Sequence, residues 1–491
     1  MSIVRPIAEH ARRLPDEVAL VFGERKISRR DLDQAVARLA AFIAARTSRN
    51  GAIALDLPNS PAFVVLFLAT AAAGRVAQVL DRAWPDETVR AVLGERTPAL
   101  VFTDRPDAHP GAVNVPSDLL LEGLIEALGA PREARRVPDP DSDLAFYIGY
   151  TSGSTAVPKG FQRTHRSWTA SFAGAQQEFE VGPSDCVFSP GPFSHSLPLY
   201  ALASSLHAGA RFVFIRGFQA RAGLRTLIEE RVSVLYAVPT QLAMLIEAAE
   251  ADETVCRAVR LVLSSGAKWP SPLSARFRKV FPSAVLAEFY GASELSFVTL
   301  ARSDQRVPKG SVGRAFPGVS ISIRAASGKK QPSGRTGLVF VESPLVFSGY
   351  AGGSEDVLRS GEAMSVGDRG YLDRAGFLYL TGRNDRLVIS SGRNIQPEEV
   401  EAVLHRHAAL AMCAVFGLDD EKRAQRLVAL IQFKPGKSAK AADLIAHLRK
   451  VLPSYKTPSR FAVAKDWPLT ASGKTDYRRL EAAWAQAGIL A

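Results

Sequence analysis

The chain has few cysteines for its length. Its 491 residues include only Cys186, Cys256 and Cys413, which lie far apart in the sequence. This spacing excludes a disulfide-stabilised framework and a zinc site built from clustered cysteines. Widely separated thiols are typical of proteins that work in a reducing compartment, so we expect a cytoplasmic location.

Long apolar runs are also absent. The most apolar segment, 62–73, ends at Gly74 and Arg75 and is shorter than the roughly 20 residues needed to cross a bilayer. Residues 1–6 lack the apolar core of a signal peptide. We therefore expect no stable membrane insertion, and 62–73 is predicted to be a buried helix.

Blocks of Lys and Arg interleaved with aromatic residues are missing as well, although the net charge is +12. Nucleic-acid-binding surfaces usually contain such blocks, so we expect no nucleic-acid partner. A solvated basic surface explains the charge, and it also suits anionic substrates. Nothing in the sequence indicates an oligomeric state.

An apolar segment, 144–150, leads into a loop rich in hydroxyl residues and glycine, 150–160. The apolar segment is typical of a buried strand. Small residues let a backbone approach a ligand closely, and successive N–H groups form a concave anion site, to which Lys159 adds a positive charge. The loop therefore predicts a polyphosphate site, with a flexible linker as the alternative. It differs from GxxxxGK[ST], because Gly160 follows the lysine.

Strand-like and helix-like segments alternate along most of the chain. A helix is predicted after the capping residue Ser28, with helical periodicity through Asn50. The strand-like segments are 53–57, 76–80, 99–102, 211–215, 234–238, 261–266 and 285–291. This alternation predicts an α/β fold with layered, mostly parallel sheets. Residues 104–143, richer in Pro, Asp and Arg, are predicted to run over the surface.

The pattern changes twice towards the C-terminus. Short β segments broken by glycine, 311–379, predict a small β-rich subdomain. Beyond Gly382, helical stretches at 397–407 and 441–451 enclose strand-like runs, which predicts a small α+β domain. We therefore predict two domains, a large N-terminal α/β domain, 1–384, and a small mobile C-terminal domain, 385–491.

Five short motifs occur in order along the chain. They are the loop 150–160, Tyr290-Gly291-Ala292-Ser293-Glu294, Gly367-Asp368 with Gly382 to Arg386, 391–401, and Pro468 to Lys474. Together they resemble the motifs of the acyl-adenylate-forming (AMP-binding) superfamily, which includes the acyl-CoA synthetases. The resemblance implies a ligase that works in two steps. It first converts a carboxylic acid and ATP into an acyl adenylate, and it then transfers the acyl group to a thiol. Its partners would be ATP, Mg²⁺, the acid and coenzyme A.

The resemblance also implies roles for individual residues. The phosphates would be held by Thr151, Ser152, Gly153, Ser154, Thr155 and Lys159. Glu294, with Thr155, would bind Mg²⁺, a hard cation that prefers carboxylates and substrate phosphates. Ser293 would contact the α-phosphate. The adenine would lie between Tyr290-Gly291 and Gly266-Ala267.

The remaining roles fall in the C-terminal half. Asp368 and Arg383 would bind the ribose hydroxyls, since a carboxylate accepts and a guanidinium donates. Lys474 would reach the oxygens where negative charge develops during adenylation. Gly392 would leave room for the pantetheine arm of coenzyme A, and Asp385 would be the hinge between the domains. The alternative for these residues is an ordinary surface position.

The sequence departs from the family pattern at two positions. Ala156 stands where glycine is usual, which disfavours a positive φ in the phosphate loop. Ser293 replaces a threonine and keeps the hydroxyl. A catalytically weak adenylate-binding protein is therefore an alternative to an active ligase.

The stretch Phe193-Ser194-His195-Ser196 separates branches of the family. It lacks the aspartate that binds the ammonium group in amino-acid-activating enzymes, and it is similar to a stretch in acyl-CoA synthetases. His195 is expected either to gate or contact the acid, or to pack in the core. The candidate pocket residues are mainly apolar and predict a fatty or aromatic acid: Phe193, Leu197, Tyr236, Phe289, Ala292 and Phe297. A carrier protein is the alternative thiol acceptor.

Overall fold

The computed structural model describes residues 1–105, 107, 109, 111–116, 119, 121–131, 133, 136–151, 158–266, 269, 273–353, 357–383, 386–390, 393–420, 424–469 and 475–490. The helices of this part are α1 (Arg5–Arg13), α2 (Arg29–Arg46), α3 (Pro61–Ala72), α4 (Asp86–Glu95), α5 (Leu121–Ala127), α6 (His165–Phe179), α7 (Ser196–Ala208), α8 (Ala220–Glu229), α9 (Pro239–Ala251), α10 (Leu273–Val280), α11 (Pro397–Leu404), α12 (Ala441–Arg449) and α13 (Leu480–Gln486).

The strands of the same part are β1 (Val18–Phe22), β2 (Arg25–Ser28), β3 (Ala52–Asp56), β4 (Val76–Val79), β5 (Leu100–Thr103), β6 (Val113–Asn114), β7 (Ala145–Thr151), β8 (Lys159–Thr164), β9 (Cys186–Phe188), β10 (Arg211–Phe214), β11 (Val234–Tyr236), β12 (Leu261–Ser264), β13 (Val285–Ala292), β14 (Ser296–Arg302), β15 (Arg314–Ala315), β16 (Ser320–Arg324), β17 (Gly337–Glu342), β18 (Gly349–Tyr350), β19 (Leu358–Ser360), β20 (Ala363–Ser365), β21 (Asp368–Leu372), β22 (Leu378–Arg383), β23 (Val388–Ser390), β24 (Arg393–Ile395), β25 (Leu410–Asp420), β26 (Ala424–Phe433), β27 (Arg460–Val463) and β28 (Gly488–Ile489).

Two large sheets dominate the N-terminal domain. The first has the order β18-β8-β7-β4-β3-β5-β6, and the second has the order β15-β14-β13-β12-β11-β9-β10-β1-β2. Pairing is parallel from β7 to β6 in the first sheet and from β13 to β1 in the second. The predicted α/β fold with layered, mostly parallel sheets is therefore confirmed.

A third, antiparallel sheet has the order β19-β20-β17-β21-β22, with β16 paired to β17. This sheet confirms the predicted β-rich subdomain. The C-terminal domain contains a fourth sheet, β24-β23-β26-β27-β28 with β25 beside β26, and its own apolar core around α11 and α12. Residues 384 and 385, where the boundary was placed, lie outside the described residues, so its position stays a prediction.

The helix α3 lies in the centre of the N-terminal core. It is apolar around its whole circumference, and every residue from Pro61 to Ala71 is buried. Ser60 caps it by accepting a hydrogen bond from the Phe63 N–H. The prediction of a buried helix is confirmed. In the part of the chain that the structure describes, no helix is both long and apolar enough to cross a membrane.

The α2 helix begins as the sequence predicts. Ser28 Oγ accepts a hydrogen bond from the Asp31 N–H at 3.1 Å, which satisfies one of the free N–H groups at the helix start. Leu32, Val36 and Leu39 then face the core. The helix ends at Arg46, before the predicted Asn50.

The prediction that 104–143 runs over the surface is wrong for part of this segment. The short helix α5 buries Leu121, Leu124 and Ile125 in the main core. The spacing of these residues is helical, but it covers only one and a half turns. So short a pattern is difficult to recognise from sequence periodicity when the surrounding residues are rich in Pro, Asp and Arg.

Asp56 ends β3 and is buried at the carboxyl edge of the first sheet. Its carboxylate accepts hydrogen bonds from Thr103 Oγ1 at 2.9 Å and Arg105 Nη2 at 2.8 Å, and His109 Nε2 lies 3.0 Å away. Burial alone would raise the pKa of Asp56, but the hydrogen bond and charge of Arg105, with Thr103 and Arg82, hold it below its ordinary value. These contacts fix the loop after β5 against β3.

Replacing the buried carboxylate should destabilise the fold. Asp56→Asn leaves the Arg105 cation without its partner, so we expect the free energy of unfolding to fall by about 3–5 kcal/mol. Because folding lowers the pKa of Asp56, its stabilising contribution is present at neutral pH and declines as the pH falls through the acidic range. Urea unfolding of wild type and variant at several pH values measures both effects.

The matched control for this experiment is Asp16→Asn. Asp16 forms an ion pair with Arg30 in which its side chain is 82% exposed. Such a pair is screened by water, so its loss should change stability by less than about 0.5 kcal/mol. Equal effects of the two substitutions would contradict a stabilising role for the buried Asp56 cluster.

Candidate active site

The hairpin of β7 and β8 carries both ends of the predicted phosphate loop. Thr151, the last residue of β7, pairs with Lys159, the first residue of β8. Since β7 is parallel to β4, the hairpin projects from the carboxyl edge of the parallel strands, where ligands bind in open α/β sheets. The intervening predicted residues Ser152, Gly153, Ser154, Thr155 and Ala156 lie outside the described residues, and their phosphate contacts stay predictions.

Gly266 and Tyr290 lie near the carboxyl ends of the neighbouring parallel strands β12 and β13 of the second sheet. β12 pairs with β13 as far as Ser264 and Glu288, and each predicted adenine residue lies two positions further on. The φ of Gly266 is +90°, a conformation in which an L side chain is strained. Ala267 lies outside the described residues. The structure brings Gly266 and Tyr290 to adjacent strands, and their contact with adenine stays a prediction.

Tyr290, Asp368 and Arg383 form one group. The Tyr290 hydroxyl donates to Asp368 Oδ2 at 2.5 Å, and Arg383 Nε lies 3.7 Å from Asp368 Oδ1. Asp368 and Arg383 are a cross-strand pair of β21 and β22. Burial and the negative charge of Asp368 raise the pKa of Tyr290 well above its ordinary value, so the phenol remains a donor at physiological pH. The residue predicted for adenine is thus bonded to the pair predicted for ribose.

A tight turn after Tyr290 presents Ser293 and Glu294. The β13–β14 ladder shifts register between Tyr290 and Gly291. A Cβ on Gly291 would lie 2.1 Å from the Ser296 carbonyl oxygen, so only glycine fits this bulge. Ser293 Oγ lies 3.5 Å from Ser196 Oγ, at the start of α7.

The Glu294 carboxylate is buried and fixed. It is 8% exposed, and its Oε1 accepts a hydrogen bond from the Tyr350 hydroxyl at 2.9 Å. Within the described residues, no group of three or more His, Cys, Asp or Glu is arranged to hold a metal. One held carboxylate suits Mg²⁺, which commonly binds through one or two carboxylates and the phosphates of its substrate. Glu294 therefore fits the predicted ion, and Thr155, its predicted partner, is not described.

His195 lies immediately before α7 and is half-buried. Its Nε2 is 3.5 Å from Asp81 Oδ2, in the loop after β4. Burial alone would raise the pKa of Asp81, but hydrogen bonds from His195 and the Ala83 N–H lower it. The side chain of His195 is 38% exposed, so it is not packed in the core, which excludes that alternative.

Phe193, two residues earlier, does lie in the core. Its ring packs 5.2 Å from Phe63 and 5.3 Å from Phe214, and it is 1% exposed. Tyr236 and Phe297 are buried to a similar degree. Of the candidate acid-pocket residues, the half-buried ones are Leu197, Phe289 and Ala292.

Arg386 connects the start of the C-terminal domain to α11. Its guanidinium donates to Glu398 at 2.7 Å and to Glu401 at 2.6 Å, and it lies 3.7 Å from the centre of the Tyr477 ring. Burial lowers the pKa of Arg386, but the charges of Glu401 and Glu398 more than compensate and raise it. Gly392 and Lys474, predicted to act in the two half-reactions, lie outside the described residues.

Three residues near the site were not found from the sequence. Arg163, Tyr350 and Asp81 contact Ser293, Glu294 and His195 respectively. Each of the three contacts joins segments separated by more than 50 positions in the chain. No local pattern marks such pairs.

Two families of domains match the chain. The AMP-binding enzyme family matches residues 7–351, and the AMP-binding enzyme C-terminal domain matches residues 399–474. The chain belongs to the AMP-binding enzyme family. The second match falls in the domain built around the fourth sheet.

Relatives of this family member are similar over nearly their full length. An uncharacterized acyl-CoA ligase of Bacillus subtilis, YhfT, is 34% identical over 98% of both chains. A long-chain-fatty-acid–CoA ligase of B. subtilis is 26% identical over 96% of this chain and 93% of its own. The structure of B. subtilis o-succinylbenzoate CoA synthetase with its acyl-adenylate intermediate superposes with a TM-score of 0.85 at 25% identity, covering 97% of each chain. The protein is thus an enzyme of the AMP-forming acyl-CoA ligase family.

Removing the Tyr290 hydroxyl should weaken nucleotide binding. In Tyr290→Phe the Asp368 carboxylate loses the donor that orients it, so we expect the Kd for ATP to rise about tenfold, as for loss of a hydrogen bond to a charged group. Isothermal titration with ATP measures the change.

Tyr379→Phe is the control for this prediction. Tyr379 is in β22, in the same sheet as Asp368, and its hydroxyl lies 3.5 Å from Asp373, outside the candidate site. The Tyr379→Phe variant should have the same Kd for ATP as the wild-type protein. An unchanged Kd in Tyr290→Phe would show that the phenol does not position Asp368.

Proposed function

We propose that the protein is an ATP- and Mg²⁺-dependent ligase that converts an apolar carboxylic acid, fatty or aromatic, into its CoA thioester through an acyl adenylate. The Tyr290–Asp368–Arg383 group carries the proposal. In this group Tyr290, four residues before Glu294 in the chain, contacts Asp368, which is paired with Arg383, and these are the residues proposed for the nucleoside. Tyr350 joins Glu294 to β8, which begins with Lys159. These contacts support a single site made of the residues proposed for the nucleoside, the metal and the phosphates.

The chemistry follows from these positions. Asp368 and Arg383 hold the ribose, and Lys159 with the hairpin holds the phosphates, so the α-phosphorus faces the acid. An acid oxygen attacks this phosphorus, the bond to pyrophosphate breaks, and an acyl adenylate forms. Positioning and charge neutralisation supply most of the rate enhancement in such transfers, and Mg²⁺ held by Glu294 would neutralise phosphate charge.

The second step forms the thioester. The thiol sulfur attacks the acyl carbon, the bond from that carbon to the AMP oxygen breaks, and the thiol proton is released. Coenzyme A is the proposed acceptor, because relatives that match along nearly the whole chain are named CoA ligases. Loading of a carrier protein would use the same pantetheine chemistry.

We infer an apolar acid from the partly exposed residues near the turn that carries Ser293 and Glu294. Leu197, Phe289 and Ala292 are half-buried and pack against the core. A wall of this kind favours a hydrocarbon chain or ring over a charged group. The acids named for relatives differ in character: long-chain fatty acids for one, the aromatic diacid o-succinylbenzoate for another, and sulfoacetate, which carries a second acidic group, for a third. The apolar class is therefore proposed from the residues of this chain.

The first test is pyrophosphate release over a panel of fatty, aromatic and dicarboxylic acids. We expect release that depends on an apolar acid and Mg²⁺, and a thioester product only when CoA is added. Glu294→Gln, which removes the charge but keeps the shape, should abolish the signal and remain folded. No release with any acid would contradict the ligase proposal, and release restricted to small aliphatic diacids would contradict the apolar pocket.

The second test separates the two half-reactions. We propose that the domains 1–384 and 385–491 rotate relative to each other between the steps, with Asp385 as the hinge. Lys474→Ala should then slow adenylate formation about 100- to 1,000-fold, as expected when a charge-stabilising donor is lost. It should spare thioester formation from a pre-made acyl adenylate.

Gly392→Leu should have the opposite effect, blocking the thiol while sparing adenylation. Lys437→Ala, an exposed lysine of the same domain, is the control and should affect neither step. Equal losses in both half-reactions for Lys474→Ala and Gly392→Leu would contradict the rotation.

A further inference from the structure

Arg163 is a buried cation whose guanidinium donates to backbone carbonyls. It lies on β8, faces inward like Phe161, and is 2% exposed. In the portion of the chain that the structure describes, no carboxylate oxygen forms an ion pair with it. Burial lowers the pKa of Arg163 to about 10, so it stays charged at physiological pH. Burying a cation without an ion-pair partner is unfavourable, so the position of Arg163 requires an explanation.

Both hydrogen bonds of Arg163 end on backbone carbonyls next to the Glu294 turn. Nη1 donates to the Ser293 carbonyl at 3.1 Å, and Nη2 donates to the Leu345 carbonyl at 2.5 Å. Ser293 directly precedes Glu294. Two residues after Leu345, the Phe347 N–H donates to the Glu294 carbonyl at 2.7 Å. The guanidinium therefore holds both segments that enclose Glu294.

The strand of Arg163 reaches Glu294 by a second route. β18 pairs with β8, with Tyr350 opposite Phe161, and the Tyr350 hydroxyl donates to the Glu294 carboxylate. The backbone before Glu294 and its side chain are thus both anchored to β8. The same strand begins with Lys159 at the phosphate hairpin. We name Arg163, Ser293, Glu294, Leu345 and Tyr350 the Arg163 network.

The charge of Arg163 also acts on this turn. The Glu294 carboxylate is among the groups whose negative charge stabilises the Arg163 cation. A guanidinium can reach two carbonyls with a rigid fork, which a lysine ammonium cannot do.

We propose that Arg163 is a positioning residue, which fixes Ser293 and Glu294 relative to the phosphate hairpin and so sets the site for the Mg²⁺-bound triphosphate. This inference rests on the proposed role of Glu294. Arg163 acts through other residues, because its guanidinium is bonded to the protein backbone. Its contribution should therefore appear in the binding of MgATP, before any chemistry.

The test measures ATP binding to the intact chain without acid, in Mg²⁺ and in EDTA. Arg163→Lys keeps the charge but loses the fork, and Arg163→Met loses both. We expect the Kd for ATP in Mg²⁺ to rise about 10- to 100-fold, as is typical when the support of a metal ligand is removed. The rise in EDTA should be much smaller. In turnover, the Mg²⁺ concentration for half-maximal rate should rise as well.

Arg166→Met is the matched control on the same segment. Arg166 forms an ion pair with Asp143 in which both side chains are 61% exposed, so its loss should change neither binding nor rate. Tyr350→Phe removes the second anchor. Because the two anchors act on one carboxylate, the effects of Arg163→Lys and Tyr350→Phe on the Mg²⁺-dependent Kd should be non-additive in the double variant.

Three outcomes would overturn the proposal. The first is wild-type MgATP affinity in Arg163→Lys, even with lowered thermal stability, which would make the residue structural only. The second is an equal loss of affinity in Mg²⁺ and EDTA, and the third is strict additivity with Tyr350→Phe. If Arg163→Met does not fold, the measurements on Arg163→Lys and Tyr350→Phe still test the proposal. Absence of acid-dependent pyrophosphate release in wild type would contradict the ligase proposal and leave this binding test intact.

Discussion

The hydrogen bond from Tyr290 to Asp368 joins two sheets that have no strand in common. Tyr290 belongs to β13 of the second sheet, and Asp368 begins β21 of the antiparallel third sheet. The bond is between a buried phenol and a carboxylate, which makes it stronger than a neutral pair. Arg383, opposite Asp368, is in turn the last described residue before the C-terminal domain. This contact therefore connects the residues proposed for the nucleoside with the end of the chain segment that precedes the predicted domain boundary.

Local patterns in the sequence predicted most of the fold. The cap at Ser28, the apolar helix 62–73 and the succession of strands and helices along the chain all follow from short-range periodicity and composition, and they are found in the structure. The motifs around Tyr290 and Asp368 were recognised for the same reason. The structure then showed that these two motifs contact each other, although 78 positions separate them.

Contacts between distant segments could not be predicted in this way. The strand β8, Lys159 to Thr164, was missed because it contains a single large apolar residue, Phe161, and the other large side chain that faces inward is an arginine. Arg163 is tolerated there only because carbonyls 130 and 182 positions later accept its hydrogen bonds. The contact between His195 and Asp81 could not be predicted for the same reason, because it depends on how α7 packs relative to the first sheet.

The three cysteines have a practical consequence. All are free and buried, and burial raises the pKa of each thiol, in Cys256 to about 11. Since the thiolate is the reactive form, native thiols of this kind are poor targets for maleimides. A fluorophore pair could be attached to two cysteines introduced on either side of the predicted domain boundary, and it would report the interdomain distance. The three native cysteines would not have to be replaced first. The same sparse, buried thiols that exclude a disulfide framework make this protein a convenient object for single-molecule spectroscopy.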